Sequence, residues 1–161
     1  MINLLEMPDQ PGQDIYKLNL FGTGILVVAS VLAAIFPDTL SIPFAVLASI
    51  LAIIGTIAFL WAYGKSLERS RDQDVSVAMI YGMALVAPKT VRRRFHTLTF
   101  VQSVAAIATA SIHPFTPQAF GILAVMLGIG LAGLWSAQHG TFAERKDGRH
   151  KARELNRSKH G

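Results

Sequence analysis

The sequence predicts an all-α integral membrane protein with four transmembrane helices, arranged as two antiparallel hairpins with a short interfacial or re-entrant helix between them. Composition is the first observation: of 161 residues, 52% are hydrophobic and only 16% are charged, against about 25% charged in soluble domains. The second is a set of four stretches without Asp, Glu, Lys or Arg, each near the roughly 20 residues that cross a bilayer. The third is that every basic residue falls on one side of such a four-span protein.

The four uncharged stretches define the membrane domain. The predicted spans are 18–36, 41–64, 96–112 and 119–137. They lie in a membrane domain, residues 17–139, between an N-terminal segment, 1–16, and a basic tail, 140–161. The connections "PDTLSIP" and "HPFTPQ" are short, and their prolines suit helix ends. Each pair of spans is therefore expected to form a tight hairpin.

The N-terminal segment bears on whether the first span stays in the protein. It carries Glu6, Asp9 and Asp14 and has no basic residue before Lys17. A secretory signal peptide begins with a cationic region. We therefore expect the first helix to be retained.

The basic residues predict the orientation. Of the fifteen Lys and Arg residues, seven lie in 65–94, seven in 145–159, and one is Lys17. Lys and Arg near span ends favour the cytoplasm. Both termini and the loop 65–95 are therefore expected to be cytoplasmic.

The run "APKTVRRRFH" contains three consecutive arginines, Arg92, Arg93 and Arg94. Nucleic-acid binding requires basic groups along a groove or beside stacking aromatic residues, whereas an uncharged predicted span follows this run. We interpret the arginines as a topology signal that contacts anionic lipid headgroups, at about 1 kcal/mol per basic residue. No nucleic-acid partner is expected.

The segment "VSVAMIYGMALVA", 75–87, is the weak point of the four-span prediction. As a helix it would reach only ~20 Å at ~1.5 Å per residue, which is short of a crossing. We expect a short interfacial or re-entrant helix packed on the bundle. A fifth span is the alternative, and it would place Lys65 and Arg69 opposite the arginine run.

Small residues on the fourth span predict a helix-packing interface. They recur at every fourth position, at Ala124, Gly128, Ala132 and Ser136, and such spacing lets helices approach closely in lipid. The spacing leaves open whether the partner helix belongs to the same chain, a second copy or another protein.

The second hairpin also matches the first at a shift of 74 residues. The matched positions are Pro43 with Pro117, Ala45 with Ala119, Ala58 with Ala132, and Leu60-Trp61 with Leu134-Trp135. A parallel repeat and a coincidence of composition both account for the match.

Candidate chemistry is sparse inside the predicted spans. No charged residue interrupts them, which argues against a proton-coupled pump. Gln102 is the polar residue most costly to expose to lipid, so it is expected to face the bundle and hydrogen-bond across helices. His96 and His139 are expected to share the cytoplasmic boundary, but two ligands do not complete a zinc site. We predict no metal, no cofactor and no catalytic residue, and hence no enzyme.

Four strings carry a family resemblance: "FLWAYGKSLERSR", "APKTVRRR", "ATASIHPFTPQAFGIL" and "GLWSAQHGTF". Together, over about residues 59–142, they resemble a family of small, uncharacterised actinobacterial multi-pass membrane proteins. The resemblance implies a bacterial plasma-membrane location and supplies no catalytic residue. "HGTF" from His139 and "APK" from Ala87 are candidate family-specific contacts at the cytoplasmic face.

Two functional hypotheses remain. The first is a non-enzymatic accessory or assembly subunit of a larger membrane complex. The alternative is a small homo-oligomeric transporter or channel, which the hydroxyl- and amide-bearing third span would serve. In that second hypothesis, Gln102→Leu would abolish transport and leave assembly intact.

Overall fold

A computed structural model describes residues 11–144, and those residues form an all-α membrane protein. Four helices are long and apolar enough to cross a bilayer, and they correspond in order to the four predicted spans. The elements are α1 (Gln13–Ile35), α2 (Pro37–Arg69), α3 (Val77–Tyr81), α4 (Lys89–Ile112), a 3-10 segment (Pro117–Ala124) and α5 (Val125–His139). The 3-10 segment and α5 follow each other without a break and together make the fourth span.

The first hairpin turns more tightly than the sequence predicts. A single residue, Phe36, separates α1 from α2, and Pro37 opens α2 at a position where its missing N–H costs nothing. The expected loop "PDTLSIP" is therefore wrong, because it forms the first turns of α2 and places Pro43 inside the helix. Pro43 is the seventh residue of α2, so it removes the backbone hydrogen bond that an N–H there would have donated to the Thr39 carbonyl.

The helices also extend past the predicted span ends on the side of the charged loop. α2 continues to Arg69 and α4 begins at Lys89, so the connection is 70–88 rather than 65–95. Arg92, Arg93 and Arg94 consequently lie in the first turns of α4 and not in a loop. Charge ends a hydrophobic stretch, but it does not end a helix that continues into water.

The segment 75–87 forms a helix over only five of its residues, α3. α3 is too short to cross a membrane, so the alternative of a fifth span there is wrong. Tyr81 fixes its end: the ring stacks on Phe59 with centroids 4.1 Å apart, and the hydroxyl donates to the Phe59 carbonyl over 3.1 Å. Burial raises the pKa of Tyr81, and Tyr63 adds in the same direction, so the hydroxyl keeps its proton.

The fourth span occupies the centre of the bundle. α2 packs along most of it, and α4 packs against its other side. The closest approach is between Gly55 and Gly130, where a Cβ on Gly130 would overlap the Gly55 carbonyl. Such an approach brings backbones into van der Waals contact, which drives helix association in lipid.

The outside of the bundle is apolar, as a protein solvated by lipid requires. Large side chains on the outer faces are more than half exposed, among them Phe21, Ile57, Leu60, Phe100 and Phe120. On a soluble monomer, such a continuous apolar surface would cause aggregation. In a bilayer it contacts acyl chains.

One end of the bundle gathers both ends of the described chain and the loop 70–88. Trp135 donates from its indole N–H to the Pro11 carbonyl over 3.1 Å, and the Asp74 N–H donates to the Ala143 carbonyl over 2.9 Å. All described basic residues lie toward this end, which we call the basic face. They are Lys17, Lys65, Arg69, Arg71, Lys89, Arg92, Arg93 and Arg94. Residues 141–144, the described part of the basic tail, pair with the loop, and the tail beyond 144 lies outside the described residues.

The two matched tryptophans occupy different environments. Trp61 is 60% exposed on the outside of α2, whereas Trp135 is 3% exposed in the core. Pro43 lies inside a helix and Pro117 begins one. The matched positions therefore do not have equivalent surroundings, so the matches give little support to a structural repeat.

Candidate functional site

A buried cluster of polar side chains joins α1, α4 and α5 in the middle of the bundle. Gln102 donates to Asn19 Oδ1 over 3.0 Å and to Thr23 Oγ1 over 2.6 Å, and its Oε1 accepts from the Gly128 N–H over 3.1 Å. Thr23 donates in turn to the Asn19 carbonyl. Gln102 and Asn19 are completely buried. The amide of Gln102 therefore links three spans, and its hydrogen bonds are all to this chain.

The predicted ladder of small residues lies inside the same bundle. Ala124, Gly128, Ala132 and Ser136 are all buried. A Cβ on Gly128 would lie 2.6 Å from Gln102 Oε1, so a side chain there would displace the amide. In this chain the ladder is covered by the chain's own helices.

A groove opens between α1 and α4 in the half of the bundle away from the basic face. Its volume is about 370 Å³, and nearly all of its lining is apolar. Small residues from both helices form much of the wall: Ser30, Ala34, Ala105 and Ala108. Ser30 is 5% exposed, and its hydroxyl has no hydrogen-bond partner among the described residues. We call this feature the α1–α4 groove.

A second cavity, of about 520 Å³, lies at the basic face. Four separate segments supply its walls: the turn before α1 at Pro11, the loop at 85–88, the start of α4 at Val91, and the end of α5. Trp135 and His139 form the α5 wall, with ring centroids 5.8 Å apart. We call this cavity the basic-face pocket.

The loop wall of the pocket has an unusual backbone. Met83 and Leu85 have φ angles of 53° and 65°, in the left-handed region that non-glycine residues rarely adopt. Each such residue costs about 1–2 kcal/mol. Met83 is fully buried and holds the loop, whereas Leu85 is 83% exposed at the pocket wall. The N–H of Thr141 fixes the loop from the other side by donating to the Val86 carbonyl over 3.1 Å.

The structure brings together two predicted contact strings that are distant in sequence. Ala87 and Pro88, from "APK", and His139 and Thr141, from "HGTF", line the same pocket. His96 does not join them. Its Nε2 lies 3.2 Å from the Gly82 carbonyl, outside the pocket.

Metal ligands do not assemble at the described part of this face. Within residues 11–144, no three His, Asp or Glu side chains come close enough to hold an ion. His139 packs on Trp135, and His96 contacts the loop backbone. His150 and His160 lie outside the described residues.

Sequence reasoning missed several residues that make the key contacts. Asn19 and Thr23 are four positions apart in α1, so they share a helix face, and that spacing was a usable signal for a partner of Gln102. The string "HPFTPQ" predicts that Gln118 lies at a hairpin tip. It is completely buried and donates to the Ala33 carbonyl over 2.9 Å and to Ser41 Oγ over 3.1 Å.

Comparison of the chain with protein-family models, with curated proteins and with solved structures finds no match. The resemblance to a small actinobacterial family therefore stays a prediction.

Proposed function

We propose that this protein is a non-enzymatic accessory subunit of a larger complex in a bacterial plasma membrane, and that it docks a helix of another membrane protein in the α1–α4 groove. The observation that carries the proposal is the Ser30 hydroxyl, which is buried at the wall of that groove and has no hydrogen-bond partner within residues 11–144. A polar group buried in apolar surroundings costs free energy until it is hydrogen-bonded. An acyl chain offers no such bond, whereas a transmembrane helix with a polar side chain does.

The shape of the groove supports a helix as its occupant. Ser30 and Ala34 on α1 and Ala105 and Ala108 on α4 place small residues between the larger Val, Phe and Ile side chains of the groove. Small residues allow the close helix approach that stabilises association in lipid. Thr109, the other hydroxyl in the groove, donates to the Ala105 carbonyl of its own helix. Ser30 is therefore the group that a partner would satisfy.

The transport alternative loses its main support. Its candidate residue, Gln102, is fully buried and bonded to Asn19, Thr23 and Gly128. A second copy of the chain in the α1–α4 groove would instead support a homo-oligomeric transporter. The experiment must therefore distinguish a partner protein from a second copy.

Site-specific photo-crosslinking in native membranes tests the proposal. The crosslinking residue replaces Ala108 in the groove or, as the control, Ile57 on the lipid-facing side of α2. We expect one discrete heterologous adduct from position 108 and none from position 57. In a Ser30→Ala background the yield at 108 should fall about 3-fold or more, because one interhelical hydrogen bond in a membrane is worth ~0.6 kcal/mol or more.

Three results would contradict the proposal. A product with twice the mass of the chain would identify a second copy and favour a homo-oligomer. Lipid adducts alone would show that acyl chains fill the groove. An adduct that is equally strong from position 57, or unaffected by Ser30→Ala, would not depend on the groove.

A further inference from the structure

The start of α4 has a charge distribution that opposes the usual rule for helices. A helix N-terminus carries a partial positive charge from its aligned peptide dipoles, so acidic residues stabilise it and basic residues do not. The first turn of α4 has no acidic residue, and Pro88 at the N-cap has no capping side chain. Lys89, Arg92, Arg93 and Arg94 instead lie within its first two turns.

Three of these four basic side chains are not neutralised by neighbours among the described residues. Lys89, Arg92 and Arg93 form no ion pair within the part of the chain that the structure describes. Arg94 differs, because its guanidinium lies 5.8 Å from the centroid of the Tyr16 ring. An anion bound here would offset both the positive helix end and the unpaired cations.

The basic-face pocket lies directly at this helix start. Pro88 and Val91, from the first turn of α4, form part of its wall. Among residues 11–144, no acidic side chain lines it, and its polar side chains are those of Trp135, His139 and Thr141. The remaining wall is apolar, with Leu85 largely exposed beside it. The pocket therefore has a mostly apolar wall, and two of its wall residues, Pro88 and Val91, are the sequence neighbours of Lys89 and Arg92 in α4.

We infer that the basic-face pocket binds one anionic phospholipid, with its phosphate at the start of α4 beside Lys89 and Arg92 and its acyl portion against Val91, Leu85 and Trp135. Charge complementarity determines the anionic headgroup, and the apolar wall determines the acyl portion. A soluble phosphate compound has the anionic group but lacks an acyl portion. This site is separate from the α1–α4 groove and does not depend on the proposed accessory role.

Trp135 provides a direct probe of occupancy. The chain has two tryptophans, and Trp61 is exposed on the outside of α2, so Trp61→Phe leaves Trp135 as the single fluorophore. The experiment measures quenching of Trp135 in detergent micelles by phosphatidylglycerol brominated near the headgroup end of its acyl chains. Brominated phosphatidylcholine is the zwitterionic comparison, and inorganic phosphate is the competitor.

We expect quenching by brominated phosphatidylglycerol to saturate at a lower mole fraction than quenching by brominated phosphatidylcholine. Lys89→Gln with Arg92→Gln should raise the half-saturating fraction about 30-fold, since each basic residue near an anionic headgroup is worth about 1 kcal/mol. The single change Lys89→Gln should raise it about 5-fold. Lys65→Gln with Arg71→Gln removes the same charge from exposed positions elsewhere on this face and should have little effect.

Three results would contradict the assignment of an anionic phospholipid to the basic-face pocket. If Lys65→Gln with Arg71→Gln raised the half-saturating fraction as much as the Lys89 and Arg92 pair does, the binding would reflect general attraction between charges. If both brominated lipids saturated at the same mole fraction, an anion site would be excluded. Full competition by millimolar phosphate would make the ligand a soluble phosphate and overturn the lipid assignment. An unchanged Trp135 emission maximum without lipid shows that each variant is folded, so a loss of quenching then reports binding.

Discussion

At the scale of single residues, Gln102 shows why a polar side chain can be retained in a lipid-facing fold. Its amide joins Asn19 and Thr23 on α1 to the Gly128 backbone on α5. Each interhelical hydrogen bond is worth only ~0.6 kcal/mol on average in a membrane protein. Losing Gln102 is expected to cost more than that, because buried Asn19 Oδ1 and the Gly128 N–H would each lose their bond to its amide. Thr23 would keep only its bond to the Asn19 carbonyl.

Gln102→Leu should therefore destabilise the folded protein by about 1–3 kcal/mol, and any function should fall with the folded fraction. This revises the expectation that the substitution leaves assembly intact. The measurement is the midpoint of thermal unfolding in detergent. Gln138→Leu, the same exchange at an exposed position of α5, is the control. Equal midpoints for the two variants would show that the buried amide is not a structural link.

The inward orientation of Gln102 follows from its sequence, whereas its partners do not. An amide inside an apolar span must turn away from lipid, whatever the neighbouring helices are. Which helix lies next to α4 depends on the packing of the whole bundle, so Asn19 and Thr23 were not identified. The pocket loop was beyond prediction for another reason: Met83 and Leu85 adopt left-handed φ angles without the glycine that usually announces them.

At the scale of helices, the contact between α2 and α5 depends on two glycines. Gly55 and Gly130 meet backbone to backbone, and there is no room for a Cβ on either. The predicted ladder lies on the same helix as Gly130 but turns Gly128 toward α4. The fourth span therefore packs small residues on two sides.

Gly130→Ala should lower the free energy of unfolding by about 1–3 kcal/mol, since overpacking a tight contact forces the helices apart. Gly64→Ala is the matched control, because Gly64 lies in α2 with open space around it. There the helix propensity of alanine should add up to about 1 kcal/mol of stability. Both changes are measured as shifts in the midpoint of thermal unfolding, and a neutral or stabilising Gly130→Ala would contradict the close approach.

Span positions were predictable because apolar length is a local property of the sequence. The helix ends were not predictable, because a stretch without charged residues ends at the first charge, whereas the backbone hydrogen bonds of the helix continue past it. α2 runs on through Lys65 and Glu68 to Arg69, and α4 starts at Lys89. The single-residue turn at Phe36 was missed for the opposite reason: the prolines of "PDTLSIP" indicated a loop, but Pro37 starts a helix.

At the scale of the whole molecule, the four spans place the described chain ends and the loop 70–88 at one end of the bundle. We propose that this basic face is cytoplasmic, from the excess of Lys and Arg near the span ends. The chain has no cysteine, so a single introduced thiol reports its own side of the membrane.

Phe115→Cys, at a fully exposed position between α4 and the 3-10 segment, should react with a membrane-impermeant maleimide in intact cells. Asp72→Cys, exposed in the loop 70–88, should react only after the cells are lysed. The measurement is the gel shift of the labelled chain. Labelling of Asp72→Cys in intact cells, with Phe115→Cys protected, would place the basic face outside.

The pairing of residues 140–144 with the loop also sets the order in which the basic face forms during synthesis. Arg69 donates to the Gly140 carbonyl over 3.0 Å, and Asp74 and Val86 bond to Ala143 and Thr141. These partners leave the ribosome after all four spans. The Asp74 N–H and the Val86 carbonyl of the loop therefore lack these partners until the last span has been synthesised. A chain truncated after His139 would carry every span and still lack the segment that closes this face.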